Sequence, residues 1–345
     1  MKKSKLINKD KSKHSSKREK NLFYSLCDKN HNVIKTKNFK NSLLKSGLKI
    51  NDNRLYNLFQ KLDTYGKEIF FDDFIKIIRS SELLVEKSLC GELALPDFND
   101  FSKNIDKMFD EVSNIKTGEL ASYIPPLAKV DPEKFGISIV TTDGQVYQRG
   151  NFNEDFSIQS ICKPFNYCFA LEELGLDFVH KHVGQEPSGR KFNDLTLLVR
   201  SSQGFQDNLT NIPFNPMINA GAITTVGLIN SDETYEKRLN FIKNEFAKLI
   251  GWTAKGKFNS KFPRFNKDVA REENFTGFNN MAIGYLLMAT GNLPNKKNKP
   301  KKKVNQKHDN FDFYIEPSVT EALKLYFSIC SLEMTATEVA MAAAT

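Results

Sequence analysis

The sequence predicts an α/β protein in which an all-helical part precedes a part that alternates strands and helices. Residues 22–98 repeat apolar side chains at helical spacing between short loops. Residues 136–147 alternate apolar and polar side chains around an Asp-Gly pair, which is typical of a β-hairpin. An apolar helix begins soon after Phe156. With 345 residues, 40% of them hydrophobic, the chain is long enough to bury more than one core.

Three parts of different composition follow one another along the chain. Residues 1–21 form a basic tail that we expect to be disordered, residues 22–105 a helical domain, and residues 106–345 the larger domain. Four segments of helical period in the second part begin at Leu22, Phe39, Arg54 and Phe71. Four helices in two helix-loop-helix pairs predict an EF-hand-like domain.

Neither loop of this helical domain has a full set of calcium ligands. The first, third and fifth positions of the first loop are Asp28, Asn30 and Asn32. However, Val33 stands where such a loop needs glycine, and Phe39 stands where it needs a bidentate glutamate. The second loop begins at Asp63 and has Phe74 at the glutamate position. We therefore predict that the domain binds no calcium.

The net charge of +9 is distributed in a way that does not favour a nucleic-acid partner. The first 20 residues carry nine Lys or Arg and two acids, and residues 296–307 carry seven lysines and no acid. The rest of the chain is therefore mildly acidic, whereas a nucleic-acid groove needs a basic folded surface.

No apolar run reaches the length of a membrane span, and the basic N-terminus lacks the apolar core of a signal peptide. We expect no membrane partner.

Cysteine and histidine usage indicates neither a disulfide framework nor a metal site. The five cysteines are odd in number and form no CxxC pair. His180 and His182 are expected to lie at a helix end rather than to bind metal. These features predict no metal, no cofactor and a reducing compartment. A cytoplasmic location is predicted, with the mitochondrion as the alternative because the N-terminus is basic.

The most informative motif places Ser160 and Lys163 one helical turn apart, where a strand leads into an apolar helix. A hydroxyl and an amine so placed can act as a nucleophile and its base, and helix N-termini stabilise developing oxyanions. The spacing alone is not specific. It also occurs at Ser42/Lys45, Ser46/Lys49 and Ser113/Lys116.

The blocks that surround and follow Ser160 give the motif its specificity. They are FSIQSICK at 156–163, VGQEPSG at 183–189, FN at 192–193, NPMINAGAI at 215–223 and NMAIGY at 280–285. In this order they closely resemble the glutaminase family, the serine-dependent enzymes that hydrolyse L-glutamine to L-glutamate and ammonia. The resemblance runs from about Leu22 to the last residue. It implies a serine β-lactamase-like domain with a mixed sheet flanked by helices, preceded by the calcium-free helical domain of the animal-type enzymes, and a homo-oligomer.

The resemblance also implies the roles of individual residues. Ser160 would attack the side-chain amide, Lys163 would take its proton, and burial would lower the pKa of Lys163. The backbone N–H of Ser160 would donate to the oxyanion. Glu273, seven positions before Asn280, would bind the substrate amine rather than its neighbour Glu272. The neutral donors expected for the substrate carboxylate are Asn219, Asn280 and Tyr326, and two further pocket positions are Tyr123 and Gln159.

The chain departs from the family pattern at several places. The stretch 195–213 looks longer than usual, residues 291–311 contain a lysine-asparagine insertion that we expect to be a disordered loop, and Tyr285 is followed by Leu286 instead of a second tyrosine. The sequence ends within a helical pattern at Thr345. The family's following segment carries a tyrosine and a glycine-rich strand that assist catalysis. We therefore expect the chain to be a fragment, inactive as it stands.

Two other functions remain as alternatives. Penicillin-binding proteins and β-lactamases share the Ser-x-x-Lys pair, but they also need a Ser-Asp-Asn element, which does not occur in this sequence, and a Lys-Thr-Gly element, which occurs only at 116–118, before Ser160. An inactive binding or scaffold protein of glutaminase-like fold is the other alternative.

Overall fold

The computed structural model describes residues 17–27, 32–201, 209–251, 262–293 and 317–345. Contacts divide the chain into two compact units, which are considered separately below. The first unit consists of Met1–Thr117, Lys134–Asn153 and Ala336–Thr345, and the second of Gly118–Glu133 and Glu154–Thr335.

The helices of the described residues are α1 (Lys17–Leu26), α2 (Thr36–Lys45), α3 (Tyr56–Thr64), α4 (Phe71–Ile78), α5 (Glu82–Cys90), α6 (Phe98–Ser113), α7 (Cys162–Leu174), α8 (Leu176–His182), α9 (Asn219–Leu228), α10 (Tyr235–Leu249), α11 (Lys267–Thr276), α12 (Phe278–Ala289), α13 (Pro317–Cys330) and α14 (Ala336–Ala344). The strands are β1 (Ile34–Lys35), β2 (Glu68–Ile69), β3 (Gly136–Val140), β4 (Val146–Gly150), β5 (Phe156–Ser157), β6 (Leu198–Ser201), β7 (Leu209–Ile212), β8 (Arg264–Phe265) and β9 (Leu332–Met334). Short 3-10 turns span Leu127–Lys129 and Gln159–Ile161.

In the first unit, α1 to α5 enclose an aromatic core. The ring of Phe74 lies 5.6 Å from that of Phe23 and 5.5 Å from that of Phe39, measured between centroids. Phe39 and Phe74 are fully buried. The positions at which calcium loops carry glutamate are therefore used for packing here, which supports the prediction that calcium is not bound.

The predicted hairpin is confirmed as β3 and β4, which pair antiparallel from Gly136↔Gly150 to Val140↔Val146. Gly144 in its turn has φ +85°, a conformation that glycine adopts without strain. The next residue, Gln145, is fully buried. Its amide accepts from Leu95 N and donates to the carbonyl oxygens of Ser46 and Leu95 at 2.7–2.9 Å. Because these partners belong to the helical domain, the hairpin and that domain form one packed body.

Helix α14 covers the same hairpin in the first unit. It packs against β3, and the Gln148 amide donates to Thr337 Oγ1 at 2.8 Å. On the other side of the hairpin, the Tyr147 hydroxyl donates to Asp106 of α6 at 2.7 Å. The two strands are thus held between helices that are distant in sequence.

The second unit is built around α9, all ten residues of which are buried. Helices α7, α12 and α13 pack against it. The C-terminal carbonyls of α9 have no helical partner, and the buried Arg238 of α10 satisfies them. Its guanidinium donates to the carbonyl oxygens of Val226, Gly227 and Ile229 at 2.6–3.0 Å.

Gly221 allows the start of α9 to approach the preceding loop. A Cβ atom at this position would lie 1.9 Å from the carbonyl oxygen of Asn215. A side chain is therefore incompatible with this backbone contact. Because Gly221 lets the start of α9 lie directly against this loop, it also determines the position of Asn219, two residues earlier.

A small antiparallel sheet of order β5-β9-β8 joins three parts of the second unit. Ser157 pairs with Glu333, and Glu333 pairs with Arg264. Strand β5, which leads into the Ser160 turn, is thereby fixed to β9, which follows α13. Strand β9 in turn pairs with β8, which precedes α11. All strand pairs among the described residues are antiparallel.

The predicted helical domain at 22–105 contains α5 and the start of α6 in addition to the four predicted helices. Several expectations concern residues outside the described ones: the basic tail up to residue 16, the ligand positions Asp28 and Asn30, part of the long stretch at 202–208, and the lysine-rich insertion from 294. The domain boundaries remain predictions.

Within the described ranges, no helix combines the length and the apolarity that a bilayer span requires.

Candidate active site

Ser160 lies in the 3-10 turn that connects β5 to α7. Gln159, directly before it, has φ +44°, so the chain turns sharply at this point. The Ser160 side chain is exposed. Its backbone N–H has no acceptor among the described residues, as expected for the first turn of a helix. The turn thus presents an accessible hydroxyl and an unpaired N–H donor at the same residue.

Lys163 is buried in the first turn of α7. Its Nζ donates to Asn219 Oδ1 at 2.7 Å and lies 5.7 Å from the centroid of the Phe192 ring. Burial lowers the pKa of Lys163 below its ordinary value of 10.5, the direction predicted from the sequence. The structure shows no hydrogen bond between this amine and the Ser160 hydroxyl.

Asn219 and Asn280 continue the polar chain that starts at Lys163. Asn219 is the first residue of α9, and its Nδ2 donates to Asn280 Oδ1 of α12 at 2.8 Å. The backbone N–H of Asn219 donates to the carbonyl oxygen of Phe192 at 2.8 Å. The Asn280 amide nitrogen has no acceptor among the described residues and can donate to a ligand.

Glu273 lies on the buried side of α11, 8% exposed. Burial raises the pKa of this carboxyl, and a hydrogen bond from the Gln159 amide opposes the shift. The Tyr123 hydroxyl donates to Gln159 Oε1 at 3.1 Å. Although the Tyr123 ring is largely exposed, loss of solvent around its hydroxyl and the charge of Glu273 raise its pKa to about 12. The three side chains therefore form one polar cluster.

The structure distinguishes Glu273 from its neighbour Glu272. The side chain of Glu272 is 25% exposed and lies 3.5 Å from the Arg271 guanidinium, so its charge is already paired. Glu273 has no ion-pair partner among the described residues. Of the two, only Glu273 offers a buried carboxylate to a cationic ligand.

Tyr326 is buried on α13 and shares a hydrogen bond with Cys330, one turn later. Burial is the main cause that raises the pKa of its hydroxyl, and the charge of Glu273 acts in the same direction. The Cys330 sulfur lies 4.0 Å from that of Cys162, which stands between Ser160 and Lys163 in the sequence. All five cysteines are free thiols.

Sequence reasoning missed some residues that shape the site. Ser157 accepts from the Gln159 amide at 3.1 Å and donates to the carbonyl oxygen of Cys330 at 2.9 Å, so it holds the turn before Ser160. Phe192 borders the Lys163 amine. Phe192 belongs to the FN motif at 192–193, but the motif does not indicate that its ring lies beside the Lys163 amine. Nothing in the sequence indicates the role of Ser157.

His180 has a structural role in α8. His180 Nδ1 donates to the Val183 carbonyl oxygen at 2.9 Å, and its Nε2 shares a hydrogen bond of 2.8 Å with the Tyr167 hydroxyl. The described residues contain no group of His, Cys, Asp or Glu side chains that could hold a metal ion.

Two known family models match the chain. Residues 118–345 match the Glutaminase family model, and residues 18–96 match an EF-hand domain model. The first match covers well over half of the chain. The protein belongs to the glutaminase family.

Individual relatives are similar over most of this chain. The mitochondrial liver-isoform glutaminase of Rattus norvegicus is 32% identical over 330 residues, which cover 94% of this chain and 48% of the relative. A glutaminase of Nostoc sp. is 37% identical over 243 residues, 70% of this chain and 60% of the relative. The chain thus spans about half the length of the rat relative.

A solved structure shows the fold. The structure of a probable glutaminase, ybaS, is 27% identical, with a TM-score of 0.54 over 70% of this chain and 65% of that one. The protein has the β-lactamase-like fold of glutaminases, with helices and sheet combined and a helical EF-hand-like region at the N-terminus. The predicted fold class is confirmed.

Proposed function

We propose that this protein hydrolyses L-glutamine to L-glutamate and ammonia through a γ-glutamyl ester on Ser160. One observation carries the proposal: an exposed serine at a helix N-terminus lies one turn before a buried lysine whose pKa is lowered. A lysine acts as a general base only in its neutral form, and burial favours that form. The family membership and the names of the relatives supply the substrate.

In the first step, Ser160 Oγ bonds to the side-chain amide carbon of glutamine while its proton passes to Lys163 Nζ. A neutral amine has two N–H bonds and one lone pair. Because one N–H is directed to Asn219 Oδ1, the amine is restrained and its lone pair can be directed to the serine. The backbone N–H of Ser160 donates to the tetrahedral oxyanion, a contribution of about 3 to 4 kcal/mol per donor in comparable sites.

In the second step, Lys163 returns the proton to the leaving nitrogen, the C–N bond breaks, and ammonia departs. Water then attacks the γ-glutamyl ester, its proton passes through Lys163 to Ser160 Oγ, and L-glutamate is released. The proposed chemistry uses no cofactor.

The two charged ends of glutamine would bind at different clusters. The cationic α-amine pairs with Glu273, whose carboxylate is buried and has no ion partner among the described residues. Gln159 holds that carboxylate in place, and Tyr123 holds Gln159. The α-carboxylate accepts from the Asn280 amide, from Asn219 and from the Tyr326 hydroxyl. Two neutral amides suit this role because they donate without adding charge beside Lys163.

Assembly and compartment are also part of the proposal. We expect a homo-oligomer of two or four copies, which light scattering after size exclusion would measure. A cytoplasmic location is expected, with the mitochondrion as the alternative, and fluorescence microscopy of a tagged protein would decide between them.

Ammonia and glutamate release would be measured on the longest product of the gene. We expect release from L-glutamine, much slower release from L-asparagine, and none from Ser160→Ala, which should still bind glutamine in calorimetry. Ser42→Ala, at a serine of α2 with the same spacing to Lys45, serves as the matched control and should keep the wild-type rate. Release by Ser160→Ala at the wild-type rate would contradict the mechanism, and labelling of Ser160 by a fluorescent penicillin would favour the penicillin-binding alternative.

A further inference from the structure

The second unit contains a half-open cavity lined in part by α11 and α13, the helices that carry Glu273 and Tyr326. It has a volume of about 260 Å³ and lies between α10, α11, α13 and β8. Its walls include Tyr235, Phe265, Arg271, Asn274, Lys324 and Phe327. None of these residues belongs to the candidate active site.

Two cations border this cavity. The Lys324 ammonium lies 4.1 Å from the centroid of the Tyr235 ring. Among the described residues no carboxylate is within ion-pair distance of it. The Arg271 guanidinium lies 3.5 Å from one oxygen each of Asp268 and Glu272, both long contacts on an exposed surface. Lys324, an exposed residue, therefore places an ammonium over the Tyr235 ring that no carboxylate of the described residues pairs with.

The rest of the wall combines aromatic surface with a few polar groups. Phe265, Phe327 and Ala270 provide the apolar part. Hydroxyl groups of Tyr235 and Ser328 share a hydrogen bond of 2.8 Å at the wall. Cavities that are largely apolar with a small number of placed polar groups are typical of small-molecule sites.

The packing separates this cavity from the candidate active site. Phe327, 1% exposed, fills the space between α13 and Gly277 at the end of α11. Arg271 and Asn274 lie on the cavity side of α11, whereas Glu273 lies on the buried side that meets Gln159. A ligand in the cavity would therefore not contact Ser160 or its partners.

We propose that this cavity, which we call the α10–α11–α13 cavity, binds a small organic carboxylate with an apolar body. The carboxylate pairs with the Lys324 ammonium, and the apolar body packs against Phe265 and Phe327. An inorganic anion would satisfy the charge but leave the aromatic wall uncovered. A neutral apolar molecule would leave the ammonium unpaired.

Binding of hydrocinnamate, a phenyl ring joined to a carboxylate, tests this proposal by saturation-transfer NMR. We expect saturable binding in the millimolar range, as is usual for a ligand of this size. Acetate has the charge without the ring and hydrocinnamamide has the ring without the charge, and both should bind more weakly. Ala270→Phe should abolish binding because the ring fills the cavity.

The contribution of charge is tested by Lys324→Met, which keeps the length of the side chain. We expect it to weaken hydrocinnamate binding about fivefold. Lys248→Met, at an exposed lysine of α10 paired with Glu245 outside the cavity, is the matched control and should change nothing. Circular dichroism would establish that each variant folds.

Three results would overturn the proposal. They are the absence of saturable hydrocinnamate binding, equal binding of hydrocinnamate and its amide, and unchanged binding by a folded Lys324→Met variant. The last of these remains decisive if Ala270→Phe fails to fold.

Discussion

The Lys163 amine donates to Asn219 Oδ1 at 2.7 Å and has no hydrogen bond to the Ser160 hydroxyl one helical turn away. The two residues that meet are 56 positions apart and belong to α7 and α9. Asn219 therefore sets the direction of the amine, while burial sets its protonation. A carboxylate at position 219 would bind the ammonium form more strongly and oppose deprotonation.

This relationship predicts a pH dependence. Because the neutral amine is the active form and burial lowers the pKa of Lys163 below 10.5, kcat should rise with pH through that lowered pKa and then level off. Asn219→Asp places an anion beside the amine, so the rising limb should move to higher pH by about 1 to 3 units. The measurement is kcat for glutamine hydrolysis against pH. Asn240→Asp, at an exposed residue of α10, should leave the rising limb in place. A limb that does not move in Asn219→Asp would rule out Lys163 as the base.

The same pKa shift has a consequence for stability. The unfolded chain binds the Lys163 proton more tightly than the folded one, so wild-type stability should rise with pH between the lowered pKa and 10.5. Lys163→Met has no titrating group at this position, so it lacks this pH-dependent contribution to stability. Urea unfolding midpoints should therefore show wild type gaining on Lys163→Met as pH rises through this window. A constant difference across the window would contradict the assigned shift.

Glu273→Gln should weaken glutamine binding by about 1 to 3 kcal/mol, the scale of a charged hydrogen bond. Glu272→Gln should have little effect because that carboxylate pairs with Arg271 at the surface. Isothermal titration of each variant with glutamine measures both. If Glu272→Gln had the larger effect, the amine would bind on the other side of α11.

Arg238→Met should destabilise the second unit by about 2 to 4 kcal/mol, because the carbonyl oxygens that end α9 lose their donor in a buried place. Lys237→Met removes an exposed cation from the adjacent position and is the matched control. Urea unfolding followed by circular dichroism compares them. Equal midpoints for the two variants would show that Arg238 is not needed to end the helix.

Gly221→Ala should also destabilise, by about 1 to 3 kcal/mol, since the new methyl group would collide with the Asn215 carbonyl. Gly66→Ala, at a glycine with open space around its Cβ position, should change little. Thermal unfolding of both variants provides the comparison. A stabilised Gly221→Ala would mean that the loop before α9 can move away.

Sequence patterns predicted the elements that have local signals. The Asp143-Gly144 pair set the turn of the β3-β4 hairpin, and the apolar run after Ser160 predicted α7. Helix α5 was not predicted: the fourth helical pattern was recognised over 71–78 only, and residues 79–90 contain neither glycine nor proline to mark the start of another helix. Helical period alone gives no sign of a short turn inside such a run.

Contacts between distant residues could not be predicted in this way. The spacing to Asn280 selected Glu273, but its burial against Gln159 depends on how α11 packs. The approach of Cys162 to Cys330 and the pairing of Lys163 with Asn219 have no local signature. These contacts arise from tertiary packing, and the periodicity of apolar residues along the chain does not show which helices pack together.

The central claim is that Ser160 is the nucleophile of a glutamine site. The most direct test uses the analogue of glutamine in which an electrophilic diazomethyl ketone replaces the side-chain amide, followed by peptide mass spectrometry of the longest gene product. We expect one label on Ser160, blocked by excess L-glutamate and absent from Ser160→Ala. A label on Cys162, or labelling that persists in Ser160→Ala, would contradict the claim.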